Sequence, residues 1–153
     1  MKPVIYIRVA AVLTFIHAVL HTVGGVFGSI GPGPASIAVA AMKANPFLFM
    51  GSPRTFWDFH MGLGLGISIS LSMESIVMWY LAPLGRSHVA QVRPILLAFA
   101  VGYLALAVNS YVYFFLAPVI VECLIALCLV LAAITLKKLA SGPEREMRQT
   151  GRS

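Results

Sequence analysis

Four long apolar stretches dominate the sequence, and each is long enough to cross a bilayer as a helix, which takes about 20 residues. They cover residues 3–29, 56–82, 94–116 and 118–136. The last two stretches meet at Ala117-Pro118 with almost no loop, so we expect a tight antiparallel pair there. The pattern predicts an all-α integral membrane four-helix bundle at residues 1–140, followed by a polar cytoplasmic tail at residues 141–153.

A shorter apolar segment lies between the first two stretches. The run Gly31-Pro32-Gly33-Pro34 breaks the first helix, and Ser36 is placed to cap a short helix that reaches about Ala44. Asn45-Pro46 then ends it. We expect this helix to lie at the membrane interface or to cover the mouth of the bundle as a lid.

The composition supports a membrane protein. The chain is 59% hydrophobic and only 10% charged, whereas soluble domains carry about 25% charged residues. The net charge of +6 could suggest a nucleic-acid partner, but the basic residues are scattered over loops and ends without a basic stripe. The expected partners are therefore membrane lipids and an apolar small-molecule ligand, with no nucleic acid; a homodimer stays open.

The basic residues also predict the orientation. With both chain ends inside, nine of the 11 Lys and Arg residues lie on the inner side, and only Lys43 and Arg54 lie outside. Cytoplasmic loops carry such an excess of basic residues. The chain is thus predicted to be a multi-pass protein of the inner (plasma) membrane with N-in, C-in topology.

Ionisable side chains inside the apolar stretches are the main functional clue. They are expensive in hydrocarbon, so they usually face the protein interior and serve a purpose. A rise of about 1.5 Å per residue places a polar group from every stretch in the outer half of the bundle. The catalytic candidates are His17, His21, Asp58, His60 and Glu122. Asn109 and Tyr111 lie at a similar depth and are candidate cofactor contacts.

The histidines also suggest a metal or haem site. His17 and His21 are spaced i, i+4 and share one helix face, from which they can ligate one metal ion. His60 is the candidate third metal ligand, and a haem held between His60 and His17 or His21 is the alternative. In the structural alternative His17 and His21 are only hydrogen-bonded to Asn109, Tyr111 or carboxylates, and the cofactor stays unknown.

Structural roles are also predicted for two carboxylates. Asp58 is placed to stabilise the N-terminus of the second long helix, with Thr55 as its N-cap. Glu74 lies near the inner end, where we expect an ion pair with Arg8, Arg93 or Lys137; a proton relay is the alternative.

A stripe of small residues is expected to form a helix contact. Gly62, Gly66 and Ser70 are each four residues apart, and small residues let helices approach closely. Asp58 and Glu74 continue the stripe at the same spacing. We expect it to face the helix that carries His17 and His21, or to line a cavity shared with that helix.

The opening Ile7-Arg8, the run His21–Gly25 and the glycine-rich segment from Gly62 to Gly66 resemble small bacterial four-span membrane proteins of the DoxX-like type. The resemblance covers most of the chain and implies the fold only, because that group is functionally diverse. Sterol-isomerase-like membrane bundles also use buried His and Glu groups on an apolar ligand, but no matching motif is present here.

Three functional hypotheses follow. The first is an outer-half polar pocket that binds a ligand, metal or cofactor and performs chemistry on a lipid-like or quinone-like molecule, with buried histidine as acid or base. The second is a small proton-coupled transporter that uses Glu74 as an inner station. The third is a structural or accessory membrane subunit whose polar groups lock helix packing.

Overall fold

The computed structural model describes the backbone of residues 3–150 and the side chains of residues 3–139. Its elements are α1 (Pro3–Leu20), a π-helical turn (His21–Val26), α2 (Pro34–Ala44), β1 (Phe47–Phe49), β2 (Ser52–Arg54), α3 (Phe56–Leu84), α4 (Val89–Tyr113) and α5 (Leu116–Thr150). The predicted polar tail, residues 141–153, lies outside the side chains that the structure describes.

Four of these helical segments are long and apolar enough to cross a membrane: Pro3–Val26, Phe56–Leu84, Val89–Tyr113 and Leu116–Leu139. They match the four predicted stretches in number and place. The main difference is α4, which begins at Val89 and carries Pro94 within it. The prediction started at Pro94 because proline usually disrupts a helix interior.

The short helix α2 also forms as predicted, ending at Ala44. Its N-cap is Gly33, and the Ser36 hydroxyl donates to the Gly33 carbonyl at 2.7 Å instead of capping the helix itself. The Asn45 side chain donates to the Ala41 carbonyl at 2.7 Å, which satisfies one of the free carbonyls at the helix end.

The β-hairpin after α2 was not predicted. Phe47 pairs with Arg54 and Phe49 with Ser52, and the turn residues Met50 and Gly51 both have positive φ, 50° and 82°. Two-residue hairpin turns of this kind match the twist of the strands. Aromatic contacts fix the hairpin onto α3: the Phe47 and Phe56 ring centroids are 4.8 Å apart, and those of Phe49 and Phe59 are 5.1 Å apart.

The chain forms two compact units. The four-helix unit joins residues 1–15 to residues 73–153, and the hairpin unit is residues 16–72. The first contains the start of α1, the end of α3, and α4 and α5. The second contains the π-helical turn, α2, both strands and the start of α3.

The core of the four-helix unit is built from faces with helical periodicity. On α4 the buried positions are Val92, Leu96, Ala100, Tyr103, Ala107 and Ser110. On α5 they include Ile125, Ala126, Leu129, Ala132, Ala133 and Leu136. These faces pack α4 against α5, and their alanines let the helix axes approach closely. The buried Ser75 hydroxyl of α3 donates to the Ala11 carbonyl of α1 at 2.9 Å.

The hairpin unit uses Gly64 and Ser68 of α3 as its contact face. The Thr22 hydroxyl is hydrogen-bonded to Ser68 Oγ at 2.8 Å. A Cβ on Gly64 would lie 2.9 Å from Cγ2 of Val26, so the Val26 side chain packs directly against the Gly64 backbone.

As a contact face with the first helix, the predicted stripe of Gly62, Gly66 and Ser70 is wrong, whereas the alternative of a cavity beside the stripe stays a prediction. A Cβ at Gly62 or Gly66 meets nothing within 4 Å, and Ser70 is exposed. Two residues along a helix differ by about 200° in direction, so Gly62 and Gly64 lie on nearly opposite faces.

The π-helical turn closes with a hydrogen bond from Phe27 N–H to the Thr22 carbonyl at 3.0 Å, five residues back. A Cβ at Gly28 would collide with the Gly24 carbonyl oxygen. The glycines of this segment thus permit the wide turn.

Gly64→Ala is expected to destabilise the protein by about 1–3 kcal/mol, as added methyl groups do in packed contacts. The Val26 side chain is β-branched and stiff, so it cannot easily turn away from the new Cβ, 2.9 Å from its Cγ2. The measurement is thermal unfolding in detergent, followed by tryptophan fluorescence.

Gly66→Ala is the matched control, because its Cβ meets nothing within 4 Å. It should leave stability unchanged or raise it by about 0.5–1 kcal/mol through lower unfolded-state entropy. Equal effects at the two glycines would contradict the assigned contact face.

Candidate functional site

The predicted site residues are divided between the two units. His17, His21, Asp58 and His60 belong to the hairpin unit. Asn109, Tyr111 and Glu122 belong to the four-helix unit. The geometry within each unit decides what these groups can do.

His21 connects the π-helical turn to α3. Its Nε2 lies 3.2 Å from the Gly64 carbonyl oxygen. A carbonyl only accepts, so Nε2 carries the proton in this contact. His17, one turn earlier on α1, is half-buried. The bond to Gly64 fits the structural alternative for this histidine, although the partner is a backbone carbonyl and not the side chains that we expected.

His60 lies on the exposed side of α3 beside Trp57, with the two ring centroids 5.1 Å apart. The Lys43 ammonium of α2 lies 4.3 Å from the Trp57 ring centroid. This cation–π contact holds the end of α2 to the first turn of α3.

The metal prediction gains no support from this geometry. Within the residues described, no three His, Cys, Asp or Glu side chains come together as a metal ion would need. His21 is bonded to Gly64, while His60 stacks on Trp57. The assignment of His17, His21 and His60 as ligands, and the haem alternative, stay predictions.

Asp58 and Thr55 form a reciprocal cap at the start of α3. Asp58 Oδ2 accepts from Thr55 N–H at 2.7 Å and from the Thr55 hydroxyl at 2.9 Å, while Asp58 N–H donates to Thr55 Oγ1 at 3.2 Å. This is the capping-box arrangement. The predicted N-cap role of Thr55 is confirmed.

A groove lies where the hairpin meets α3. Its volume is about 440 Å³, within the range of small-molecule sites, about 300–1,000 Å³. Its lining residues are Phe49, Met50, Ser52, Arg54, Asp58, Phe59, Gly62 and Leu63. Arg54 and Asp58 are the charged members of this lining, and most of the others are apolar. Asp58 is thus the predicted site residue that borders this cavity.

Glu122 is buried in the four-helix unit, with 3% of its surface exposed. Its Oε1 accepts a hydrogen bond from the Ser110 hydroxyl at 3.0 Å. The neighbouring candidates point elsewhere: Asn109 is exposed, and Tyr111 is 76% exposed. Adjacent helical residues are rotated by about 100°, so only one of the three can face inward.

Tyr103 is a buried polar residue that the sequence did not single out. It is 1% exposed, and its hydroxyl donates to Glu74 Oε2 at 2.6 Å. The same hydroxyl lies 3.2 Å from Thr14 Oγ1, so it links α1, α3 and α4. Its position on the buried face of α4, three residues after Ala100, was the signal that could have found it.

The ion pair predicted for Glu74 is not what the structure shows. Within the described side chains, the partner of Glu74 is Tyr103, not Arg8, Arg93 or Lys137. Arg8 instead lies over the Trp79 ring, with 5.1 Å between the guanidinium carbon and the centroid. Tyr103 lies on the buried face of α4 beside Glu74, so its hydroxyl bonds the carboxylate in place of the expected cation.

Comparison of the chain with protein-family models, curated proteins and solved structures gives no match. The resemblance to DoxX-like proteins therefore stays a prediction.

Thr55→Ala and Asp58→Ala are each expected to lower stability by about 0.5–2 kcal/mol, the usual loss when a cap is removed. The double variant should lose little more than either single one, since both remove the same bonds. A double-mutant cycle of denaturant or thermal unfolding in detergent measures this coupling. Additive losses would contradict the reciprocal cap.

Proposed function

We propose that the protein is a multi-pass protein of the inner membrane that binds a lipid-like or quinone-like amphiphile in the groove between the hairpin and α3. Four helices are long and apolar enough to span a bilayer. Large apolar side chains are exposed along all of them, such as Leu20, Leu63, Val101 and Leu127. Hydrocarbon would cover these surfaces, which soluble proteins avoid in such number.

The proposed topology has both ends inside. It keeps nine of the 11 Lys and Arg residues cytoplasmic. Lys43 and Arg54 then lie outside, together with α2, the hairpin and the start of α3. The groove accordingly opens at the outer interface, where an amphiphile has its polar end.

The observation that carries the proposal is the composition of the groove wall. Phe49, Phe59 and Leu63 supply apolar surface, while Arg54 and Asp58 place charges at the same cavity. One Arg54 nitrogen, Nη1, donates to the Pro53 carbonyl at 2.8 Å. A guanidinium has five N–H donors, so others stay available to a ligand's polar group.

The geometry favours binding over catalysis. A general base must accept a proton from its substrate. In this groove the Asp58 carboxylate already accepts two hydrogen bonds from Thr55 through Oδ2. The ligand is thus expected to be held, not converted, at this position.

Gly62→Leu should weaken ligand binding at least tenfold, since the new side chain fills the groove and its Cβ meets no neighbour within 4 Å. The measurement is photo-crosslinking in lipid nanodiscs with two probes, a photoactivatable fatty acid and a photoactivatable long-chain quinone. Mass spectrometry of the peptides then locates the label.

Gly66→Leu is the control, because Gly66 has the same open surroundings but does not line the groove. It should be labelled like the wild-type chain, with saturable label at residues 47–63. Label that spreads without saturation over all exposed helix faces would show lipid contact only and refute the proposal. The probe that gives the stronger saturable label at residues 47–63 identifies the ligand class.

A further inference from the structure

The Glu74 carboxylate lies among the helices of the four-helix unit, and among the described side chains no cation forms an ion pair with it. Glu74 is half-buried on α3, and Tyr103 donates to its Oε2 at 2.6 Å. That distance is at the short end of the range for O–H···O hydrogen bonds, about 2.5–3.0 Å. Ionisable residues placed within apolar helices recur in proton relays.

The hydroxyl proton of Tyr103 can point toward either of two acceptor oxygens. A phenol hydroxyl donates once and accepts through its lone pairs. Glu74 Oε2 lies 2.6 Å away on α3, and Thr14 Oγ1 lies 3.2 Å away on α1. The hydroxyl is itself buried with its ring, so these two groups are the neighbours that decide its direction.

The other charged side chains of the unit lie in different surroundings, and Arg93 is neither exposed nor hydrogen-bonded through its buried Nε. Arg8 of α1 lies over the Trp79 ring, and Lys137 of α5 is exposed. Arg93 lies on α4, half-buried. Glu122 of α5 accepts from Ser110 and also acts electrostatically on Tyr103. Among the described side chains, none of these cations forms an ion pair with Glu74, whose recorded partner is Tyr103.

We propose that Glu74 is a reversible proton-binding site and that Tyr103 transmits its protonation state from α3 to α1. With Glu74 ionised, Tyr103 donates to it. A proton from water then adds to Glu74 Oε2, and the neutral acid donates to the Tyr103 oxygen. The Tyr103 proton turns to Thr14 Oγ1. One proton is taken up per chain, and none leaves Tyr103.

This inference is independent of ligand binding in the groove. It concerns a different unit of the chain, and it requires neither a metal nor an organic ligand. It assigns a role to Thr14, a buried threonine that is otherwise unexplained in an apolar core.

Infrared difference spectroscopy between neutral and acidic pH, on the full chain in lipid, tests the proposal. Acidification should produce a carboxylic-acid C=O band that shifts in heavy water. Glu74→Gln should lose one component of this band, because the other carboxyl groups remain; the variant keeps an acceptor oxygen for Tyr103 and so preserves the fold. In Tyr103→Phe that component should move to higher frequency, since the acid loses its hydrogen-bond partner.

The chain has five acidic residues, so the band can be assigned by substitution. Glu122→Gln is the control and should retain it. Thr14→Val, nearly the same shape, should abolish the accompanying change in the C–O band of ring-deuterated tyrosine while leaving the carboxyl band in place. The proposal is overturned by a band that is identical in the wild-type chain and Glu74→Gln, or by a Glu74 component that keeps its frequency in Tyr103→Phe.

Discussion

A polar group on an apolar helix must be bonded within the protein, and this constraint decides which helix faces come together. In the four-helix unit the bonded pairs are Ser75 with the Ala11 carbonyl, Tyr103 with Glu74, and Ser110 with Glu122. In the hairpin unit they are His21 with the Gly64 carbonyl and Thr22 with Ser68. Apolar residues alone would not choose between faces, because almost every face of these helices is apolar. Small residues beside the polar groups then let the backbones come within bonding distance.

The number and extent of the helices could be predicted because length and apolar content depend on the chain alone. The facing surfaces could not, since every face carries similar residues and the choice depends on partners elsewhere in the sequence. Gly62 and Gly64 illustrate this: both are glycines in one segment, and only Gly64 meets another side chain, that of Val26. The same holds for three consecutive residues of α4. Asn109 and Tyr111 were the candidates, but Ser110, which lies between them, is the residue that bonds Glu122.

The hairpin shows a different limit. Its turn is Met50-Gly51, and methionine with positive φ is uncommon, so the usual turn signals were weak. The strands are three residues each and draw their stability from the Phe47 and Phe49 contacts with Phe56 and Phe59. The groove could not be predicted either, because the hairpin forms one of its walls. Of the predicted site, Asp58 borders that groove, and Arg54, which had served only as an orientation marker, contributes the second charge.

Asp58 and Glu74 lie on the same helix, yet their bonding gives them different capacities. Asp58 is bonded by Thr55, three residues away in its own first turn, where the helix dipole also favours negative charge. A change in the charge of Asp58 would alter only its hydrogen bonds with Thr55 at the start of α3. Glu74 lies mid-helix and is bonded by a side chain of α4 that also neighbours α1. A change in its charge must therefore alter bonds between helices. For this reason the groove beside Asp58 is suited to holding a molecule, whereas the Glu74 site is suited to responding to protons.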